Sequence, residues 1–544
     1  MIIIRFSTII IRMNTLKTRQ HQIINIAKCI LYTSVSGLLV GSLVSVFNYL
    51  ARLVSKNSQI VYGYIRENLA YLPLLILGLV LLSLIMSFVQ KKVPETKGSG
   101  IPQVKGAIKG LLTFKWLRVL LATFFNSMIS FFVGLSLGSE GPSVQLGSTA
   151  SVGAGKLLGS NPHWDRYLIR GGAAAGMATA FNAPITGIIF SIEEAHDHFT
   201  PLILIATLCS VMSAMIVSNL INTALGVESI LFQMNIHEIS IKEIHFPILL
   251  GIVIGLSGII FNFLLIQTKK LTDKIKVPDW VKLAFAFLVI GITNVFFYKG
   301  AGSGHGLILD ISSDHFAWQT LLLLLFVKAL FTILSFDSGA TGGMFFPMLT
   351  IGALIGGLMA EGFLKMGMSR DAYNTIVICS MAAFLGAVSR TPLTAILAII
   401  ETTMFRSGFI APVFTVCIAF ILMELSQSTA LYDHLLKRYI SRMNENKTRQ
   451  TVTTNITVEK NSFVDGKFIR DILWPQDSFI VYLMRNKIQV PVQGHTQLQA
   501  GDVLTVQATT YNPTEITEII TDLCTKKNTH SVFAKLFKKN RAEH

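Results

Sequence analysis

Charged residues are scarce in this sequence. Only 14% of its 544 residues are Asp, Glu, Lys or Arg, whereas 51% are hydrophobic and the mean hydropathy is +0.58. A soluble domain could not bury so much apolar surface, so the scarcity of charge predicts a chain embedded in a lipid bilayer. Cysteine is also rare, and five residues form an odd set. This excludes a disulfide framework.

Long apolar segments occupy most of the chain instead. Eleven stretches between residues 30 and 425 approach or exceed the length needed to cross the hydrocarbon of a bilayer. Many contain Gly, Pro or a single Glu, which are costly against lipid. They therefore predict broken or re-entrant helices whose irregular backbone faces protein or a water-filled cavity. The expected fold class is an all-α protein that spans the membrane many times.

The basic residues lie outside the apolar region. The net charge of +16 comes largely from residues 1–28 with five bases, residues 437–449 with five bases and one acid, and residues 526–544 with six bases and one acid. Such charge could indicate nucleic-acid binding. Its position beside the first and last apolar segments instead favours membrane orientation, with both termini in the cytoplasm and no nucleic-acid partner.

Composition divides the chain into five parts. These are a basic amino-terminal segment (1–28), a membrane domain (29–436), a charged linker (437–451), a domain with strand patterns (452–510), and a helix with a basic tail (511–544). In the fourth part, β-rich runs at 479–483 and 503–506 alternate with turn sequences. We therefore expect a small α+β cytoplasmic domain after the membrane domain.

An internal repeat runs through the membrane domain. Three motif pairs match in order, at offsets of 204, 205 and 208 residues: Gly98-Ser99-Gly100 with Gly302-Ser303-Gly304, Pro142 with Pro347, and Pro184 with Pro392. They indicate a duplication, with repeats at about 30–225 and 245–430. Transporters are often built from two such halves of opposite orientation, with the substrate near the midplane. An inverted repeat is therefore expected.

Three Gly-rich breaks, each followed by proline, are candidates for an anion site. They begin at Ser99, Glu140 and Gly343. A buried Lys or Arg would hold an anion too tightly for transport, whereas a helix amino terminus offers unpaired N–H groups and the positive end of the helix dipole. Gly and Pro also serve helix packing and kinks in membranes. Three such breaks, two of them in repeat register, favour the anion site.

These motifs resemble a known family. GSGIP at 98–102, GSEGP at 138–142 and GGMFFP at 342–347 are similar to the signature motifs of the CLC chloride channels and proton-coupled chloride transporters, in the same order. The resemblance covers about residues 30–436. It implies an inverted-repeat helical fold and a homodimer in which each subunit holds its own anion pathway. The implied motif backbone is Gly98, Gly100, Pro102, Gly138, Gly141, Pro142, Gly342, Gly343 and Pro347.

The resemblance also implies a set of chloride-binding residues. Ser99 matches the serine whose hydroxyl contacts the central anion, and Tyr432 matches the tyrosine opposite it. Met344 and Phe345 match the pair that offers backbone N–H groups. A serine at position 99, instead of proline or methionine, indicates chloride over nitrate or fluoride.

Two glutamates are candidates for proton transfer. Glu140 matches the family's gating glutamate. Its carboxylate can take the place of chloride while ionised and loses that attraction once protonated. Glu194 matches the inner proton-transfer glutamate of exchangers, with Glu193 as a supporting neighbour. The alternatives are helix capping by Glu140 and simple solvation for one of the two adjacent acids. Acids at both inner positions favour coupled exchange over passive conduction.

Ser139 departs from the family pattern. Many members carry Lys or Arg at this position, next to the gating glutamate, and this chain has no positive charge there. The difference is expected to change the electric field at the gate and the affinity for external anions.

Residues 452–510 resemble the TrkA-C domain of potassium transport regulators. The similarity rests on SFVDGKFIRDI and on LQAGDVLTV. It implies a regulatory domain that binds a small ligand or dimerises. Taken at face value, it also raises the hypothesis of a potassium transport component, against which the chain has no TVGYG-like filter.

The expected function is proton-coupled chloride exchange in the inner membrane of a prokaryote. Chloride and protons are the transported ions, and no cofactor, metal or enzymatic activity is expected. A passive chloride channel is the alternative. A hydrolase with Ser136 of the GLSLG sequence as nucleophile is a further hypothesis, but that pattern needs a strand-to-helix turn and partner Asp and His residues.

Overall fold

The computed structural model describes residues 2–194, 200–227, 230–313, 316–405, 408–444 and 447–525, with side chains described from residue 23 onward. The first half of the membrane domain contains α1 (Ile2–Glu67), α2 (Leu72–Lys92), α3 (Ile101–Ile108), α4 (Trp116–Val133), α5 (Glu140–Leu157), α6 (Asp165–Phe181), α7 (Pro184–Glu193) and α8 (Pro201–Ala224). The second half contains α9 (His245–Lys274), α10 (Asp279–Phe296), α11 (His305–Ser313), α12 (Trp318–Asp337), α13 (Phe345–Lys365), α14 (Tyr373–Ser389), α15 (Pro392–Thr403), α16 (Ile410–Leu425) and α17 (Leu431–Met443).

The helices confirm the expected membrane fold. Within the described part of the chain, nine helices are long and apolar enough to cross a bilayer. Others are too short to cross alone: α3 has 8 residues, α7 has 10 and α15 has 12. These short helices are the broken segments that the interrupted apolar stretches predict.

The two halves repeat the same local signals. Asn182 ends α6 and Arg390 ends α14, and both adopt the left-handed conformation that closes a helix. Pro184 and Pro392 then begin α7 and α15, where the missing N–H of proline costs nothing and its fixed φ suits the first turn. The same stop and start signals therefore act at matched positions in both repeats.

The halves also run in opposite directions where they meet. Gly138 and Gly343 form an antiparallel bridge with two reciprocal backbone hydrogen bonds of 2.8 and 2.7 Å. The end of α7 contacts the start of α15, through Glu193, and the end of α15 contacts the start of α7, through Glu401. Because the end of each helix contacts the start of the other, α7 and α15 are antiparallel, as an inverted repeat requires.

The carboxy-terminal domain, which the sequence predicts to be cytoplasmic and which is called the cytoplasmic domain below, is a small sheet with one helix. Its elements are β1 (Gln450–Thr457), β2 (Ser478–Arg485), β3 (Ile488–Gln489), β4 (Val503–Thr510) and α18 (Pro513–Thr525). The strands are antiparallel in the order β1-β4-β2-β3. This agrees with the expected α+β domain.

The linker is shorter than the sequence predicts. Helix α17 continues to Met443 and β1 already begins at Gln450, so much of the predicted linker 437–451 is helix or strand. Helix α17 is amphipathic, with Leu431, Tyr432 and Leu436 buried on one side, and burial of that side extends the helix through basic residues that suggested a linker. The predicted basic tail from residue 526 lies outside the described residues.

Candidate functional site

The Glu140 side chain lies at the centre of the membrane domain. Glu140 is the first residue of α5 and is fully buried. Among the described residues, neither carboxylate oxygen has a hydrogen-bond partner of ordinary geometry. The backbone N–H groups of Glu140 itself and of Phe346 nevertheless lie close enough to interact with the carboxylate. The carboxylate therefore lies where the amino termini of α5 and α13 meet, which is a favourable place for an anion.

Glycines make room for this carboxylate. A Cβ atom on Gly138 would lie 2.4 Å from Glu140 Oε2, and a Cβ atom on Gly343 would lie 2.6 Å from the same oxygen. A Cβ atom on Gly141 would lie 2.2 Å from the carbonyl oxygen of Ser99. Real Cβ atoms essentially never lie within 3.0 Å of such atoms, so a side chain at any of these three positions would clash. The absent side chains therefore let three backbone segments close around Glu140.

Other residues of the predicted anion site converge on the same place. The Ser99 hydroxyl and the Tyr432 hydroxyl are both buried and lie close to each other, and among the described residues neither makes a hydrogen bond of ordinary geometry. The Tyr432 ring stacks on the ring of Phe345, with centroids 6.3 Å apart. Met344 is the N-cap of α13 and is fully buried. Buried hydroxyls without partners are rare in proteins, and these two fit a ligand that accepts hydrogen bonds.

The second predicted glutamate is held by a buried ion pair. Glu194 follows α7 and is only 5% exposed. Its Oε1 atom lies 3.0 Å from Lys105 Nζ, and the same ammonium lies 2.7 Å from Asp433 Oδ1. Lys105 on α3 therefore joins the buried carboxylate of Glu194 to the partly exposed carboxylate of Asp433. A buried ion pair of this kind fixes the positions of its members, because leaving either charge alone would be costly.

Sequence reasoning missed Lys105 and Asp433. The signal was available, because Lys105 is the one charged residue within the short helix that follows the GSGIP motif. A charge inside a membrane domain marks functional sites by default. Its partners, however, lie 89 residues away in the chain for Glu194 and still further away for Asp433.

Glu193 and Glu401 form reciprocal helix caps. Glu193 accepts hydrogen bonds from the backbone N–H groups of Leu393 at 3.0 Å and Thr394 at 2.8 Å, and from the Thr394 hydroxyl at 2.7 Å. Glu401 accepts the equivalent bonds from α7, at 3.0, 2.7 and 2.7 Å. Each carboxylate thus caps the helix of the other repeat, a role that the sequence pattern did not predict.

Loss of either cap is expected to destabilise the protein by a similar amount. Glu193→Gln and Glu401→Gln each replace one accepting oxygen by an amide donor that faces backbone donors. Because hydrogen bonds to a charged acceptor are strong, we expect a loss of about 3 kcal/mol for each. Denaturant unfolding of the detergent-solubilised protein measures it, with exposed Glu459→Gln as the control. A large loss for one variant and none for the other would contradict the reciprocal arrangement.

A cavity beside Ser139 carries the positive charge that Ser139 lacks. Its volume is about 910 Å³, and Gly138, Ser139 and Phe346 form part of its wall. Arg52 and Lys56 of α1 line the same cavity, together with Lys299 and Asp310 of the second repeat. The cations therefore come from elements far from Ser139 in the chain. Cations that line a cleft raise the local concentration of anions, so these side chains are candidates for attracting anions toward Glu140.

Comparisons with known proteins identify the relatives of both domains. The family model described as voltage gated chloride channel matches residues 78–424. The TrkA-C domain model matches residues 454–512, close to the predicted 452–510. The resemblances that the sequence motifs carry are thereby confirmed.

Curated relatives and solved structures agree with this result. The H(+)/Cl(-) exchange transporter ClcA of Vibrio cholerae serotype O1 is 32% identical over 424 residues, which cover 74% of this chain and 87% of the relative. The protein of the same name from Salmonella paratyphi B is 31% identical and covers 68% and 80%. The crystal structure of a slow cyanobacterial Cl-/H+ antiporter aligns with a TM-score of 0.70 at 29% identity, over 76% of this chain and 99% of that one. A CLC-type fluoride/proton antiporter, with a TM-score of 0.62 at 22% identity over 73% and 96%, shares the fold.

Proposed function

The chain belongs to the family of voltage-gated chloride channels, and we propose that it exchanges chloride for protons across a membrane. One observation carries the proposal. The Glu140 carboxylate is a titratable anion, buried where helix amino termini form a place for an anion. A group in that position can bind a proton or leave the place to chloride. The curated relatives are named exchangers, which favours coupled exchange over a passive channel.

The proposed chloride site follows from the geometry. In this proposal the neighbouring hydroxyl groups of Ser99 and Tyr432 and the backbone N–H groups of Met344 and Phe345, at the start of α13, are the donors to chloride. All four donors are neutral, so they hold chloride without the tight binding of a buried cation. When a proton neutralises Glu140, the carboxyl group can leave and chloride can take its place.

Protons enter and leave on the inner side through Glu194 in this proposal. Lys105 holds Glu194 in place together with Asp433, so the carboxylate stays at one position in the protein interior. Glu193 supports the inner route by fixing the end of α7 against α15, next to Glu194. A proton then passes between Glu194 and Glu140, whereas chloride moves along a separate path that does not include Glu194.

The surroundings of the protein follow from its family and its charge. It is a multi-pass membrane protein, and we propose that it lies in the inner membrane, as its bacterial relatives suggest. The basic residues beside the first and last spans support a proposed orientation with both termini in the cytoplasm. We further propose a homodimer, with one anion pathway in each subunit, and a small regulatory ligand at the TrkA-C domain.

Reconstituted protein tests the exchange. In liposomes, a chloride gradient is expected to drive proton movement in the opposite direction. Glu194→Gln is expected to stop the protons and to leave chloride flux in place, because the amide cannot ionise. Glu459→Gln, at an exposed position of the cytoplasmic domain, is the matched control. Chloride flux of the wild-type protein without any proton movement would show a passive channel instead.

The cations beside Ser139 are expected to raise the affinity for chloride. Replacing both Arg52 and Lys56 by Gln removes two charges from the cavity next to the gate. We expect the KM for chloride to rise roughly threefold at low ionic strength, and the difference to shrink when gluconate screens the field. Arg52→Lys with Lys56→Arg keeps both charges and should behave as wild type. A KM that does not respond to these changes would assign the cations no part in anion attraction.

A further inference from the structure

The cytoplasmic domain shares a hydrophobic core with the membrane domain. One cluster of buried residues joins Tyr32 of α1 and Trp164 beside α6 to Phe463 of the cytoplasmic domain. The rings of Trp164 and Phe463 meet edge to face, with centroids 5.9 Å apart. The Tyr167 hydroxyl donates a hydrogen bond of 3.2 Å to the carbonyl oxygen of Asp471. The domain is therefore packed against the membrane helices instead of hanging from a tether.

Arg166 connects this docked domain to α3. Its Nε atom donates to the carbonyl oxygen of Ile108, the last residue of α3, at 2.8 Å. Its Nη1 atom donates to the carbonyl oxygens of Leu473 at 2.6 Å and Trp474 at 3.0 Å, both in the cytoplasmic domain. The last carbonyls of a helix have no partner inside it, so one guanidinium serves the end of α3 and the docked domain together.

Helix α3 connects the proposed chloride site to the proposed inner proton site. Ser99 directly precedes its N-cap residue Gly100, and Lys105, which holds Glu194, lies in its last turn. All eight residues of the helix are buried. A helix of this size is about 12 Å long and moves as one piece. A shift at the Arg166 end is therefore felt at Ser99 and at Lys105.

A second contact leads from the cytoplasmic domain toward the same ion pair. A cavity of about 360 Å³ lies between α17 and the cytoplasmic domain. Asp433, the other partner of Lys105, lines it together with Gln476 and Asp477. The backbone N–H of Gln476 also donates to the carbonyl oxygen of Lys109, at 3.3 Å. The docked domain thus borders both the end of α3 and the carboxylate that holds Lys105.

We propose that Arg166 is a positioning residue through which the docked cytoplasmic domain sets α3, and that the domain thereby controls chloride affinity at Ser99 and proton coupling at Glu194. The claim about proton coupling rests on the proposed exchange function, whereas the claim about chloride affinity is tested by chloride binding alone. Release of the domain removes the two carbonyl acceptors that it offers to the guanidinium, and α3 then loses its fixed end. Transport responds to the state of the domain by this mechanical connection.

Chloride binding to the full-length protein tests the proposal. By calorimetry in detergent, Arg166→Ala is expected to weaken chloride binding roughly five- to tenfold, in the range of common coupling between sites. Arg166→Lys keeps the charge but lacks the planar fork that reaches both domains, and should give a smaller loss. Arg118→Ala removes an exposed arginine near the start of the next helix and should bind as wild type. In liposomes, Arg166→Ala should also lower the number of protons moved per chloride.

A second variant separates transmission from local damage. Phe463→Ala weakens docking from the cytoplasmic side, by removing the ring that packs on Trp164. If the domain acts through Arg166, Phe463→Ala should weaken chloride binding as well, and the double variant should be no worse than Arg166→Ala alone. Additive losses, or wild-type affinity in a folded Arg166→Ala protein, would overturn the proposal. If the wild type moves no protons, the proposed exchange fails, but the chloride affinities still decide on Arg166.

Discussion

Replacement of Glu140 by Ala is expected to reduce proton movement to the level of protein-free liposomes, while chloride still passes. In the proposed mechanism the buried carboxylate competes with chloride for the place between the starts of α5 and α13. Alanine leaves that place to chloride at every pH and offers no site for a proton. We therefore expect chloride flux that is free of protons and no longer depends on pH. Flux assays with a chloride electrode and a pH electrode measure both ions together.

Two variants serve as controls for Glu140→Ala. Glu140→Gln keeps the size of the side chain but stays neutral, so it should also pass chloride without protons. Ser139→Ala changes the neighbouring residue, which carries no charge, and should leave the coupling intact. Proton movement that persists in Glu140→Ala would assign the proton path to other groups.

Replacement of Lys467 by Met is expected to stabilise the protein at neutral pH. The Lys467 ammonium is buried at the contact between the two domains and has no hydrogen-bond partner among the described residues. It lies 3.2 Å from the centroid of the Phe463 ring and 6.0 Å from that of Trp164. Burial lowers the pKa of Lys467 from 10.5 to about 7, against weaker opposing effects of Cys29 and Asp471. The protein thus holds a lysine where the neutral form is favoured.

The lowered pKa of Lys467 makes the stability of the contact depend on pH. Between about pH 7 and 10.5 the exposed lysine of the undocked or unfolded protein binds a proton that the docked form does not bind. Stability therefore rises with pH across this window and reaches its full value above 10.5. Below pH 7 both forms are protonated, and this lysine adds no further dependence. At pH 7 the cost amounts to a few kcal/mol, since each unit of pKa corresponds to about 1.4 kcal/mol.

Thermal unfolding in detergent at several pH values tests this expectation. Lys467→Met should have a higher Tm than wild type at pH 7, and the difference should shrink toward pH 9.5. Lys460→Met, an exposed lysine in the same domain, should change neither the Tm nor its pH dependence. A lower Tm for Lys467→Met at every pH would mean that the charge on the aromatic rings stabilises the contact. The ring of His163 lies 5.2 Å from that of Phe463, and His163→Gln controls for the contribution of this neighbouring histidine.

Local sequence patterns predicted the helix starts that form the proposed anion site. Gly and Pro act on their own backbone, so the helix starts at Glu140 and Phe345 could be expected from a few residues each. The internal repeat then related these two starts to each other. The side chains that complete the site were found only through the family resemblance, as with Tyr432, because a single buried tyrosine carries no signal of its own.

The sequence by itself determined the membrane class, the repeat, the Gly-rich helix starts and the presence of a second domain. Apolar composition and backbone preferences are properties of short segments, and they survive without knowledge of the fold. Only the tertiary structure decided the exchanged caps of Glu193 and Glu401, the Lys105 ion pair and the Arg166 connection, whose partners lie 201, 89 and 307 residues apart. A buried polar group pairs with such a distant residue because the packed helices place no other partner within hydrogen-bond distance, and because burial without a hydrogen-bond partner is costly. The pairing of such groups therefore depends on the assembled helices. The sequence alone shows that Ser139 stands where many relatives have a positive charge. Only the tertiary structure shows that Arg52 and Lys56 line the cavity beside it.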